Sequence, residues 1–586
     1  MVSVTERPTL DAAPDDAGAG VAPVPARRGH GAGSGASWHL AGFAVVVALA
    51  LVARFWGLLY GLPHSYYPDE SSVVGDALKM ATTGDLRPTQ FLWPTLWIYV
   101  VALSLRAGLL ASTIPGALGP LGIPALDNMT YVYGMARSMT ALSGVMSVAL
   151  LYFVAVCWFE RIQLPSARLC AVLAAGFFAL SPLHIQHSHV TSPDVPTTAF
   201  LVLAAYFVLR ILETGQLRWY VLGGLALGLS SAAKYPSAMF AVALVIAHLS
   251  ISDLSVRRPW QLVESLLDRR LWAAGLVTVV AFFGTSPYIL LDWQRFLADF
   301  VSQANRVLQR GPVGEVGVSG PFAPVLYVPL AMQWGLDAPV ALLAVVGLAF
   351  AAWLAARPGP GGSGLRWALL TMLVFPALLY VFSWSWQHRF ARYLVPLVPF
   401  GCLLAALGVA GLARVLARQF GSRRAVMAAC ALGIAAMVWQ ADGVVRYDLL
   451  LTREDTRMTA ARWLEKHLPP GEQVMVEWYG PSYSSVRQMG FDLSDRPLDR
   501  YVGRSPRYVV TSSFSYDRWL RNPEQFARRA AFYEELHTET PLLYEIRPWP
   551  ELEYDPVQEG WDGWHILPLD PEARPGPVLR VHQLTP

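Results

Sequence analysis

The sequence predicts a mainly helical, polytopic membrane protein with a small outer domain of α/β or α+β type at its C-terminal end, and three observations carry that expectation. The 586 residues are 54% hydrophobic and only 15% charged, with a mean hydropathy of +0.38, more apolar surface than a water-soluble globule can bury. The apolar residues fall in runs of bilayer-crossing length. From about Arg446 the composition turns into that of a soluble domain. The expected division is a disordered cytoplasmic tail over 1–37, a membrane domain over 38–445 and an outer domain over 446–586.

Charge and cysteine usage exclude other classes. Forty-five basic against 42 acidic residues give +3, without the basic excess of a nucleic-acid binder, so no nucleic-acid partner is expected. Cys157, Cys170, Cys402 and Cys430 lie in apolar runs without metal-type spacing. They read as small hydrophobes, and no disulfide framework is implied.

Residues 1–37 are rich in Ala, Gly, Pro and Asp and show no apolar periodicity, the pattern of a disordered tail. Leu40 to Tyr60 reads as a first spanning helix, too long for a signal core, with Arg27 and Arg28 holding its start in the cytoplasm. Further apolar runs centre on 91–112, 131–157, 169–184, 195–211, 218–233, 236–251, 271–290, 338–356, 367–385, 393–413 and 425–443. If 91–112 crossed, the pairs Arg161/Arg168, Arg257/Arg258, Arg269/Arg270 and Arg423/Arg424 would all lie outside, against the positive-inside preference. That run also contains Pro94 and Arg106, and it reads as a helix on the outer face. Eleven crossings follow, with the N-terminus cytoplasmic and the C-terminal domain outside the cell (inner) membrane.

The stretch His64-Ser-Tyr-Tyr-Pro-Asp-Glu-Ser-Ser72 places Asp69 and Glu70 where the chain leaves the first span. Ionisable groups at that depth are costly unless they serve a purpose, although a solvated turn after Pro68 would look the same. Parity puts the loop 184–194, with His184, His187, His189 and Asp194, on the same face, so the acids Asp69, Glu70 and Asp194 can converge. Arg54, Arg137, Lys234, Arg389 and Arg392 also fall there and would ring them with cations. Each such Arg alone reads first as a snorkelling membrane anchor, and it is their joint placement on the face that the positive-inside preference depletes that points to anion binding. The histidine loop has the composition of a divalent metal site, with Asp69, Asp194 and His189 as ligands, and would put His187 and His189 on one side if extended. A platform for sugar hydroxyls or a plain interfacial loop fits it as well.

Asp292 to Leu336 is too long and polar to span. Its Gln294–Gln309 portion has helical periodicity, so a surface helix and then a Gly-rich turn at 311–320 are expected, as either a lid over the acids or a passive connector. In the outer domain, an amphipathic helix over Thr459–His467 ends at Pro469-Pro470-Gly471, with strands expected at Gln473–Trp478, Tyr508–Ser512, Leu542–Ile546 and Val578–Leu584.

Taken together, Asp69-Glu70, Arg137-Ser138, Ser192-Pro193-Asp194, Gly228 to Lys234-Tyr235, Arg392-Tyr393-Leu394-Val395-Pro396 with Pro399, and Asp455-Thr-Arg457 before Trp463-Leu464 resemble the GT-C membrane glycosyltransferases. The pattern is similar to that of the protein O-mannosyltransferase and lipid A aminoarabinose transferase superfamily. The resemblance implies sugar transfer from a polyprenyl-phosphate carrier to a protein, lipid or glycan acceptor on the outer face, with membrane lipids around the chain. It maps the acidic pair onto Asp69 and Glu70 and the second acid onto Asp194. On that basis Asp69 is the expected base of an inverting transfer. Arg392, Arg389, Lys234 and Arg137 are candidates for the carrier phosphate, Arg137 being equally suited to hold the acids. Tyr67, His187 and His189 are candidates for sugar or acceptor. A polytopic transporter or lipid flippase is the alternative, and a silent scaffold a third.

Overall fold

The computed structural model describes residues 37–112, 126–252, 260–308, 321–357, 362–469, 471–482, 487–490, 493–502, 506–521, 523–524, 526–549, 567 and 569–584. The tail expected over 1–37, but for Ser37, and the Gly-rich turn at 311–320 lie outside them.

The first part of the chain is helical: α1 (Ser37–Phe55), α2 (Pro68–Thr83), α3 (Leu96–Ser112), α4 (Met129–Arg161), α5 (Ala167–Ala179), α6 (Pro182–Ser188), α7 (Asp194–Thr214), α8 (Leu217–Ala233), α9 (Ala241–Ile251), α10 (Trp260–Leu266) and α11 (Arg269–Thr285). Then come α12 (Tyr288–Leu291), α13 (Trp293–Leu308), α14 (Ala323–Leu336), α15 (Ala338–Ala356), α16 (Gly362–Ser383), α17 (Val398–Phe420) and α18 (Ser422–Leu451). Short 3₁₀ turns, Tyr235–Phe240 and Ala391–Leu397, lead into α9 and α17.

Every apolar run named above carries a helix. Among the described residues, 7 are long and apolar enough to cross a membrane, or 8 if the bent pair α5–α6 counts as one span. The protein is therefore a multi-pass membrane protein. The expected eleven would also need α8, α11 and Tyr235–Ile251, which lie at the short end of spanning length. The surface expected to face lipid is apolar: Leu276, Val279 and Val280 on α11, Leu342, Val345 and Leu348 on α15, and Leu432, Ile434 and Val438 on α18 are all exposed. Such a girdle is stable against acyl chains and unstable against water. α3 packs through Trp97, Val101 and Leu105 into a cluster with Val73 and Ala77 of α2 and Ala136 of α4.

Inside the bundle, α15 and α17 meet backbone to backbone. A Cβ on Gly347 would lie 1.8 Å from the Leu404 carbonyl oxygen, and one on Gly408 would lie 2.1 Å from that of Leu343. Only glycine fits at both positions, which fixes how α17 and the Ala391–Leu397 turn before it stand.

α13 is the expected surface helix, with no buried residue. Asp292, just before it, and its polar side hold the segment after α2: Asp292 accepts from Arg87, the Asp299 carboxylate accepts from the Phe91 N–H (2.9 Å), and Arg295 donates to the Thr89 carbonyl. Phe296 and Phe300 lie against Tyr235.

α18 runs past residue 446 to Leu451, and a C-terminal domain follows as α19 (Thr456–His467), β1 (Gln473–Val476), β2 (Arg487–Gly490), β3 (Tyr508–Ser512), α20 (Ser513–Leu520), α21 (Ala527–Glu539), β4 (Leu542–Ile546) and β5 (Leu579–Gln583). The sheet order is β2-β1-β3-β5-β4, parallel on the β1 side and antiparallel around β5. Alternation along the strands splits the core in two. Val474, Val476 and Val510 face Ala460 and Leu464 of α19, while Met475 and Val509 face Tyr516, Phe532 and Tyr533 of α20 and α21. Helices on both faces of a mixed sheet account for the expected α/β character.

Candidate active site

Asp69 and Glu70 both sit in the first turn of α2, whose positive N-terminal end favours carboxylates. Consecutive residues on a helix point about 100° apart, so the two acids face different surroundings. Glu70 turns inward and is 0% exposed, opposite Arg137 at 1%. Its Oε1 accepts from Arg137 Nε and from the Thr191 N–H, both at 2.8 Å; its Oε2 accepts from Arg137 Nη2 and Ser65 Oγ, also at 2.8 Å. Arg137 Nη1 donates to the carbonyls of Leu58 (3.0 Å) and Tyr60 (2.6 Å). Burial alone would push the Glu70 carboxyl up. The Arg137 charge and hydrogen bonds, with Thr191 and Ser65, outweigh it and hold the group below its ordinary value.

Asp69 faces outward, is 25% exposed, and stands 3.3 Å from Arg392 Nη1, itself 19% exposed. Arg392 also donates to the Tyr67 hydroxyl (3.4 Å) and lies over the rings of Phe390 and Tyr393. The second acid repeats the arrangement. Asp194 starts α7, is ion-paired with Lys234 and accepts from Ser192 Oγ at 3.0 Å. Lys234 Nζ lies 5.3 Å from the Tyr393 ring centre, so Tyr393 stands beside both cations. The His187 ring is 6.0 Å from that of Tyr67 and feels the charges of Asp194, Arg392 and Lys234. Its buried Nδ1 has no hydrogen-bond partner among the described residues.

The structure thus brings together Asp69, Asp194, Arg392, Lys234, Tyr67 and His187. Several sequence expectations need correction. The stretch 184–194 is not an extended loop: His184 and His187 lie on α6, so His187 and His189 do not share a side. His189 approaches the carbonyls of Ile185 (3.0 Å) and Trp56 (2.9 Å) with its two ring nitrogens and lies 3.6 Å from Asp448, away from both Asp69 and Asp194. Among the described residues no three His, Cys, Asp or Glu side chains could hold a metal ion together, so the set Asp69, Asp194 and His189 does not fit one. Arg137 spends four of its five N–H donors on Glu70 and two carbonyls and is buried, so it holds the acid instead of ringing the site as a cation open to a phosphate. Arg54 is fully buried on the Ala50, Ala179 and Phe178 carbonyls and the His184 ring, so it does not join the cations around the acids. Among the described residues Arg389 pairs with neither acid, and burial lowers its pKa.

Sequence reasoning quoted Tyr393, Asp455 and Arg457 as parts of motifs but gave them no role, and so missed the aromatic floor of Phe390 and Tyr393 and the buried ion pair Asp455–Arg457. It also passed over a signal that was present: Pro68-Asp69 and Pro193-Asp194 are the same dipeptide at two helix starts. Proline is tolerated there because the first helical N–H groups have no helical acceptor, and the aspartate beside it meets the positive end.

Residues 132–284, from α4 to the end of α11, match the family model of dolichyl-phosphate-mannose-protein mannosyltransferases. This bears out the resemblance over the stretch that supplies Arg137, His187, Asp194 and Lys234. No curated protein sequence matches the chain. Among solved structures, ArnT from Cupriavidus metallidurans bound to undecaprenyl phosphate is similar at 15% identity and a TM-score of 0.46, over 84% of this chain and 95% of that one. The apo oligosaccharyltransferase of Archaeoglobus fulgidus is similar at 12% identity and a TM-score of 0.47, over 88% of this chain and 74% of that one.

Proposed function

We propose that the protein is a membrane glycosyltransferase that moves a sugar from a polyprenyl-phosphate carrier to a hydroxyl-bearing acceptor on the outer face. The observation that carries this reading is the pair of acid–cation contacts on Tyr393, Asp69–Arg392, which is partly open, and Asp194–Lys234, whose acid is buried. The family match across α4–α11 supports it, as does the solved ArnT structure's being one bound to undecaprenyl phosphate.

In this reading a phosphodiester-linked sugar enters with its phosphate toward Arg392 and Lys234. Arg392 exchanges Asp69 for phosphate oxygens, and the freed Asp69 oxygen accepts the proton of the attacking acceptor hydroxyl. The new bond joins acceptor oxygen to anomeric carbon. The bond from that carbon to the phosphate oxygen breaks, and its electron pair leaves on the polyprenyl phosphate. The anomeric centre inverts, one base suffices, and the cations stabilise the charge gathering on the leaving phosphate. His187 Nδ1 and the Tyr67 hydroxyl serve the sugar or acceptor hydroxyls.

Arg392→Ala is expected to weaken carrier binding or turnover about tenfold or more, since a charge-assisted contact to phosphate is lost. Arg424→Ala, at the far end of α18, should change neither by more than about twofold. Equal small effects in a carrier-binding titration would return Arg392 to a membrane anchor.

The orientation is tested with exposed serines. An impermeant thiol reagent on intact cells should label Ser385→Cys, before Arg392, and leave Ser166→Cys, between α4 and α5, untouched. The reverse pattern would place the site on the cytoplasmic side.

A further inference from the structure

The outer domain and the reaction site are joined through one tyrosine. The Tyr60 carbonyl accepts from Arg137 Nη1 (2.6 Å), the cation that holds Glu70. The Tyr60 hydroxyl donates to Asp455 Oδ2 (2.5 Å) and accepts from Arg457 Nη2 (2.9 Å). Asp455 and Arg457 are both fully buried and bonded through Nε and Nη2, each at 2.7 Å. Arg457 lies 3.8 Å over the ring of Tyr66, three residues before Asp69.

That second ion pair is where the outer domain begins and where its last strand arrives. Asp455 caps α19. The Thr456 N–H and hydroxyl donate to the carbonyls of Pro575 and Pro577, both at 2.8 Å, just before β5. Gly576 lies so close that a Cβ there would stand 2.6 Å from Asp455 Oδ1. At the start of the same membrane loop, Gly57 (φ +78°) abuts the end of α18, where a Cβ would meet Leu451 at 2.7 Å. Residues 57–70 are thus held from both sides, by Arg137 below and by Asp455–Arg457 above, with Tyr60 bonded to each.

Resting on the transferase reading, we propose that Tyr60 is a positioning residue that couples the seating of the outer domain to the placement of Asp69. Its hydroxyl reads the Asp455–Arg457 pair, its carbonyl reads Arg137–Glu70, and Asp69 is covalently next to Glu70. A shift of α19 against the sheet when an acceptor docks on the outer domain is then passed to the base without any outer-domain group touching the sugar.

Tyr60→Phe removes only the hydroxyl and leaves the ring packing and the carbonyl in place, so it separates coupling from folding. In the full-length protein in lipid nanodiscs, amide hydrogen exchange over 58–70 should rise about tenfold while that over 195–233 is unchanged, the scale of one hydrogen bond to a charged group. With a polyprenyl-phosphate sugar donor, kcat should fall about tenfold and the donor KM stay within about twofold. Tyr533→Phe is the comparison, since its hydroxyl also donates to a buried carboxylate, Glu477, inside the outer domain. It should leave both readouts at wild-type values. Unchanged exchange over 58–70 in Tyr60→Phe, or an equal rise in Tyr533→Phe, would overturn the coupling. Absence of transfer from any such donor by the wild type would overturn the transferase reading instead, and the exchange comparison would still decide the link.

Discussion

Asp69→Asn is expected to cut sugar transfer by about 100- to 10,000-fold, or roughly 3 to 5 kcal/mol in the barrier, with the protein still folded. The expectation falls on Asp69 because of how the two neighbouring acids are held. Both Glu70 oxygens are occupied by four donors, so taking up a proton would break a buried ion pair. Asp69 is partly open and has a cation at 3.3 Å that a phosphate can draw away. Asparagine keeps the size and most of the hydrogen bonding but cannot accept the proton. The measurement is transfer of labelled sugar from a polyprenyl-phosphate donor, beside carrier binding by the same variant. Near wild-type transfer would mean that the base lies elsewhere, with Asp194 next in line. A wild type that transfers no sugar but moves lipid or solute would replace the enzyme with a transporter.

Arg137→Met is expected to destabilise the protein by about 3–5 kcal/mol, because it strands a carboxylate where no water reaches it. The carbonyls of Leu58 and Tyr60 lose their donor as well. Glu70→Gln combined with Arg137→Met should recover part of the loss, since an amide in place of the carboxylate leaves no buried charge. Unfolding in detergent, followed by temperature or denaturant, reads both. Glu70 also gives acid stability a direction. Its carboxyl is held below its ordinary value in the folded protein, so its contribution is present above the unfolded value and fades as pH drops through the folded one. A single Arg137→Met that unfolds like the wild type would show that the pair contributes nothing net.

Much of the architecture was legible in the sequence because its causes are local. Bilayer-length apolar runs became helices, alternation in the C-terminal domain became β1, β3, β4 and β5, and the strong periodicity of 294–309 became α13. The acids were legible because charge beside an apolar run is conspicuous. What could not be read was which partner each charge chose. Asp69 and Glu70 are sequence neighbours in different environments, and only the direction of a helix face separates them. The ring of cations dissolved for the same reason. Arg54 and Arg137 look like Arg392 in sequence, yet they end buried on backbone carbonyls, and nothing local to them announces Ala179 or Leu58. His189 was misassigned because a short extended loop was assumed where the chain makes another helical turn and aims the ring at Trp56. The edge strand β2 carries too weak an alternation over Arg487–Gly490 to stand out.

The wrapping of Asp455 and Thr456 by the segment 575–577 also sets an order of biogenesis. A ribosome makes Tyr60, Glu70 and Arg137 early, and the first membrane loop can fold as soon as those helices insert. Its second support is finished only when Pro575 and Pro577 have been made, after α1–α18. A nascent chain therefore holds Asp69, Glu70, Asp194, Lys234 and Arg392 before the loop that leads to Asp69 is locked. A chain clipped ahead of β5 would keep α1–α18 yet leave that lock open, so the loop is locked only after the helices it braces have been made.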